Sequence, residues 1–190
     1  MKHPTWSHVG VSLISSVGML LVLQSCYLYI PDFDGTYIPH SATIHTDKKT
    51  AADILKRFRQ AEDALKRQDL DSLMDFYADH YKHAGFSKDS LRDEWKALFE
   101  QYREFSATHV LTRIEVALDA DRLPRTAQIT CTGSLWAISR ATNRRVNIDS
   151  WYNEIHYLAK FAGSWRIEGH AWEVANHEDA RTTRPPHPLF

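Results

Sequence analysis

The residues best equipped for chemistry lie in the last third of the chain. In an alternating stretch from about Arg145 to Phe161, Asn147, Asp149, Trp151 and Asn153 share one face, and Ser150, Tyr152, Glu154 and His156 share the other. Parity alone does not say which face is inside. If Asp149 or Glu154 projected into an apolar cavity, desolvation would raise its pKa and make it a general base, with His156, His170 or a tyrosine as the acid. The alternative is that these polar side chains face water across an antiparallel sheet. Tyr77, Tyr81, Trp95, Phe99, Trp151 and Asn153 are candidates for a pocket wall, although large residues on buried stripes serve equally as core. His80 and His83, three apart, could turn toward one ion, but no third ligand is identifiable, so neither a metal site nor a cofactor is expected. The sequence has no nucleophile elbow, phosphate loop or paired-cysteine motif.

Three amphipathic helices and then a set of strands must position these groups. Thr50 is a candidate cap, with Asp53 three residues on, for a helix whose apolar side carries Ile54, Leu55, Phe58, Ala61 and Leu65 and whose wet side carries Lys56, Arg59, Asp63 and Arg67. Asp69 should cap a second helix with Leu70, Leu73, Met74, Tyr77, Ala78 and Tyr81 in one stripe. Ser87 or Ser90 starts a third, burying Leu91, Trp95, Leu98, Phe99 and Tyr102. After Phe105 the apolar period shortens to two. Val110, Thr112, Ile114, Val116 and Leu118 then share a face of one strand, and Ile129, Cys131, Gly133, Leu135 and Ala137 share a face of the next. The stretch from Arg145 to Phe161 is long enough that it must bend or bulge. A turn at Phe161-Ala162-Gly163-Ser164 leads into a last strand from Trp165 to Glu173.

The chain has 190 residues, of which 43% are hydrophobic and 12% aromatic, enough to build one cored domain with appendages. Its 23 basic and 24 acidic residues nearly cancel, so there is no field to draw nucleic acid. Residues 1–25 have a polar start with Lys2, His3 and His8, an apolar run from Val9 to Leu23 and a polar boundary, the three-part form of an export signal. That run falls short of the ~20 residues needed to span a bilayer as a helix. Leu23-Gln24-Ser25-Cys26 resembles the lipobox of bacterial lipoproteins, and Gln24 is its less usual element. The resemblance implies cleavage after Ser25 and fatty acylation of Cys26, and two or more chains anchor stably because each buried methylene contributes roughly 0.8 kcal/mol. A plain secretory peptide is the alternative. Tyr27, where an aspartate would resemble an inner-membrane retention signal, favours the outer membrane facing the periplasm. Residues 26–47, with Pro31, Gly35 and Pro39, then form a tether, residues 48–174 the folded domain, and residues 175–190, with Pro185, Pro186 and Pro188, a disordered tail.

Helices first and then a curved antiparallel sheet is an α+β order. Ala64-Leu65-Lys66-Arg67-Gln68-Asp69-Leu70-Asp71-Ser72-Leu73, followed by Phe76-Tyr77-Ala78-Asp79, resembles the first helix pair of the NTF2-like (SnoaL-like) superfamily. Gly85-Phe86-Ser87-Lys88-Asp89 and Gly163-Ser164-Trp165-Arg166-Ile167 are similar to the same pattern, and the likeness spans about Thr50 to Glu173. It implies a cone: a curved sheet wrapped around helices, with a pocket at the wide end and dimers formed through the sheet. That superfamily includes cofactor-free isomerases and dehydratases, ligand binders and dimerisation modules, so fold does not choose function. The expectation favoured here is non-catalytic binding of a small apolar ligand or a protein partner. The competing one is a cofactor-free lyase or isomerase using a pocket carboxylate and a histidine.

Overall fold

The computed structural model describes residues 35–172. The expected export leader, the lipobox-like stretch ending at Cys26 and the tail expected from 175 onward lie outside the described residues.

The elements run β1 (Gly35–Tyr37), β2 (Thr43–His45), α1 (Lys48–Lys66), α2 (Leu70–Met74), β3 (Lys82–His83), β4 (Phe86–Ser87), α3 (Lys88–Gln101), β5 (Tyr102–Leu118), β6 (Pro124–Ser139), β7 (Arg145–Phe161) and β8 (Ser164–Trp172). The fold is α+β, as expected: three helices and a mostly antiparallel sheet. Strands β5 to β8 pair in sequence as antiparallel neighbours, while β1 and β2 add in parallel to the outer edge of β5. Residues 35–37 and 43–45, expected as tether, are therefore part of the sheet. Their backbone groups pair with β5 and cover an edge that would otherwise be open.

Helix α1 starts one turn earlier than Thr50. Asp47 is its cap, accepting from the Thr50 N–H at 2.9 Å and the Thr50 hydroxyl at 2.6 Å. Ile54, Phe58, Ala61 and Leu65 are buried along one stripe, and Glu62 is buried on that same stripe. Asp69 caps α2 as expected, but that helix ends at Met74. The chain then leaves the helical path because Phe76 and Ala78 pair with β8: the Ile167 N–H donates to Phe76 O and the Ala78 N–H to Ile167 O, both at 2.8 Å. Tyr77, Ala78 and Tyr81 are buried all the same, in a turn. Ser87 caps α3 in a reciprocal box with Ser90.

Strand β5 begins at Tyr102, and its inward residues are Phe105, Ala107, His109, Leu111 and Ile114. The expected set led by Val110 and Thr112 is displaced because the register with β6 shifts between Leu111 and Arg113. Alternation before that point buries the odd-numbered residues and after it the even-numbered Ile114. In β6 the expected face is the buried one, with Ile129, Cys131, Leu135 and Ala137 all inward. These side chains join Phe58, Leu73, Tyr77, Trp95, Trp151, Trp165 and Ile167 in a single core between helices and sheet.

Candidate functional site

Three of the candidate catalytic residues meet in the core. Strands β7 and β8 are antiparallel, with His156 and His170 register partners, so their rings lie side by side at 4.7 Å between centroids. Glu154, two residues before His156, falls on the same face, and its Oε1 lies 3.1 Å from His170 Nδ1. One donor atom from each of Glu154, His156 and His170 can be chosen so that all three lie within 4.8 Å of one another. Their exposures are 0%, 0% and 7%.

Two bulges bring them inward. In β7, Asn153 takes a left-handed backbone (φ 50°) and the register with β6 shifts across it. Trp151 before the bulge and Glu154 after it therefore both face the core, although strict alternation would put them on opposite faces. In β8 the register shifts again between the Leu158–Ile167 and Tyr157–Gly169 pairs. Without that extra residue, Trp165 and Ile167 inside would have left His170 outside.

The walls are aromatic. Phe58 of α1 packs edge-on to His156, its centroid 5.9 Å away, and Tyr81 packs edge-on to His170 at 5.9 Å. His83 on β3 lies 5.1 Å from His170 between ring centroids, and its Nδ1 accepts from the His170 backbone N–H at 3.3 Å. Burial pushes the Tyr81 phenol well above its ordinary pKa, with the neighbouring Tyr77 and Glu154 adding to the rise. Gly169 is needed here for space: a Cβ on it would stand 2.8 Å from the Lys82 carbonyl oxygen.

A second buried acid–imidazole pair also borders Phe58. Glu62 Oε1 is 2.8 Å from His109 Nδ1, and Thr36 donates to Glu62 through both its N–H, at 3.1 Å, and its hydroxyl. His109 packs between Phe58, at 5.4 Å, and Trp151, at 5.1 Å. Neither Glu62 nor His109 was among the sequence candidates. The signal was a carboxyl four residues after Phe58 on the apolar side of α1, where a charge is costly to bury without partners.

The remaining candidates part from this cluster. Asp149 is half-buried and accepts from the Ser150 N–H at 2.8 Å. Asn153, on the bulge, uses its N–H to donate to the Thr132 hydroxyl at 3.0 Å. Trp151 is buried and donates from its indole to Cys131 Sγ at 3.4 Å. Tyr77 and Trp95 are core residues, and Phe99 packs half-buried against that core. His80 and His83 do not converge: His80 is exposed and meets Glu168 at 2.6 Å, while His83 is buried against His170. A surface cleft of about 520 Å³ runs along α1 and α2, lined by Arg57, Gln60, Asp63, Asp71 and Asp75 among others, and none of the candidates lines it.

No family model matches the chain, and no curated protein matches it. Solved structures do. A conserved protein from Planctomyces limnophilus is 11% identical with a TM-score of 0.56, over 66% of this chain and 95% of that one. The protein Aln2 from a Streptomyces species is 8% identical with a TM-score of 0.50, over 67% of this chain and 91% of that one. A ketosteroid isomerase-like protein from Erwinia carotovora atroseptica is 21% identical with a TM-score of 0.49, over 65% and 95%. At such identities the likeness is one of fold alone. What this chain shares with them is three helices packed on a mostly antiparallel sheet.

Proposed function

We propose that this chain is a lipoprotein of the cell envelope, anchored through acylated Cys26, whose NTF2-like domain works by binding a protein rather than by catalysis. The observation that carries the non-catalytic reading is the burial of Glu154 and His156 at 0% exposure, with Phe58 packed on His156 and Tyr81 on His170, which keeps the carboxyl out of contact with solvent in the closed fold. The same packing argues against a small apolar ligand inside the cone. Val110, Trp136, Ile155 and Tyr157 lie on the outer face of the sheet, half-buried, and Tyr152 on the β7 bulge is 70% exposed. Aromatic side chains offered this way suit a protein partner, a second copy of the chain included.

Two experiments test the reading. Membrane fractionation of Cys26→Ser should release the chain from membranes, and unchanged retention counts against the anchor. A photo-crosslinking residue at Tyr152 should yield a discrete heavier adduct in cells, with twice the chain mass indicating self-association. Only uncrosslinked chain, from this and neighbouring outer-face positions, removes the partner. The competing reading, a cofactor-free lyase or isomerase, draws on the 3.1 Å Glu154–His170 contact. It needs an opening motion that admits substrate to that contact.

A further inference from the structure

We infer that Glu154, His156 and His170 form a binding site for a divalent first-row transition ion, with Zn²⁺ the best match to the donors. The inference is independent of whether the domain binds a protein.

Two imidazoles and one carboxylate favour zinc and its neighbours over magnesium or calcium, which take oxygen donors. Bonds of about 2.0–2.2 Å to such an ion put adjacent ligands of a tetrahedron roughly 3.3–3.5 Å apart. Glu154 Oε1 and His170 Nδ1 already stand 3.1 Å apart, and one donor atom from each of the three residues can be chosen so that all lie within 4.8 Å of one another. All three sit on paired strands, so their spacing is held by the backbone ladder and not by loops. A hydrogen bond outside the trio holds the site in place: the His170 backbone amide donates to His83 Nδ1.

The second acid–imidazole pair in the same core offers a smaller set of metal ligands. Glu62 meets one imidazole, one hydroxyl and one amide N–H, a set of donors that hold a carboxylate and leave one nitrogen ligand. Glu154 instead has two histidines on its own face, one of them its neighbour but one in sequence and the other across the ladder. Three protein ligands leave a further coordination position, the composition of an ion that also takes a small molecule such as water.

The test uses the full chain, made without a histidine tag, grown in zinc-supplemented medium so that the buried site loads during folding. Elemental analysis should give close to one zinc per chain. After chelator treatment, Co²⁺ should restore the visible ligand-field bands of a low-coordinate site, and Zn²⁺ in 100-fold excess over its Kd should raise Tm by about 5–10 °C. His156→Ala and His170→Ala should each weaken binding by about 100-fold or more, and His80→Ala should leave it unchanged. Circular dichroism identifies a variant that fails to fold, and Glu154→Asp and Glu154→Gln then take its place. Zinc below about a tenth of an equivalent in the wild-type chain, with no Co²⁺ bands, overturns the inference. So does a full equivalent that survives both histidine substitutions, because the ion would then lie elsewhere.

Discussion

Replacing Glu62 and His109 separately and together probes the energetics of this core most directly. Both side chains are almost fully buried, and Glu62 gathers three donors: the Thr36 N–H, the Thr36 hydroxyl and His109. Glu62→Leu leaves the Thr36 N–H and the imidazole facing an apolar side chain, while the hydroxyl can rotate away. At about 1–3 kcal/mol for each fixed unsatisfied group, two such groups cost roughly 2–6 kcal/mol. His109→Phe suits the ring-lined slot between Phe58 and Trp151 but strands the carboxyl, and breaking a buried pair from one side costs about 3–5 kcal/mol. The double replacement removes both polar groups of the pair and leaves the Thr36 N–H to satisfy. It should therefore destabilise by about 3 kcal/mol or more less than the two single replacements added together. Urea unfolding with linear extrapolation measures all four proteins, and unchanged m-values license the comparison. Single costs below about 1 kcal/mol, or additivity within about 0.5 kcal/mol, would refute the claim that the pair is a coupled buried unit.

Gly133→Ala should destabilise by about 1–3 kcal/mol or more, because a Cβ there would overlap the Thr108 carbonyl oxygen and stand 2.5 Å from Trp151 Cζ2; a Tm unchanged within about 1 °C contradicts the packing. Burial pushes the Cys131 thiol well above its ordinary pKa, so iodoacetamide should modify it only as fast as the chain unfolds; rapid labelling of the Cys131 peptide in native protein at neutral pH rules that out. The Thr50 hydroxyl holds Asp47, and the Ser72 hydroxyl holds Asp69, below the ordinary aspartate value of 3.8. A depressed folded pKa contributes stability that is present above 3.8 and lost as pH falls through the folded value. Asp47→Asn with Asp69→Asn should therefore flatten the fall of the urea midpoint between about pH 5 and pH 3, and an unaltered slope counts against the caps as its source.

The residues of the central cluster were legible as chemistry before they were legible as a site. Glu154, His156 and His170 stood out by type, but alternation set Glu154 beside Tyr152 and Trp151 beside Asn153, and the left-handed residue at 153 rearranged both pairs. Glu62 was hidden because a helix period read for apolar residues passes over a carboxyl on the same stripe. His83 was grouped with the exposed His80 by spacing, whereas the β3–β4 hairpin turns it toward His170.

The sequence alone determined the order of the three helices and the four long strands, the Asp69 cap, the buried face of β6 and the need for an irregularity in β7, because each depends on side-chain type and period within one segment. Tertiary structure decided where α2 stops, since Phe76 and Ala78 exchange helical hydrogen bonds for a pairing with Ile167, roughly ninety residues away. It also decided the register. Side chains in a strand repeat every two residues, so one extra residue moves everything beyond it to the opposite face, and only the partner strand fixes where that residue is accommodated.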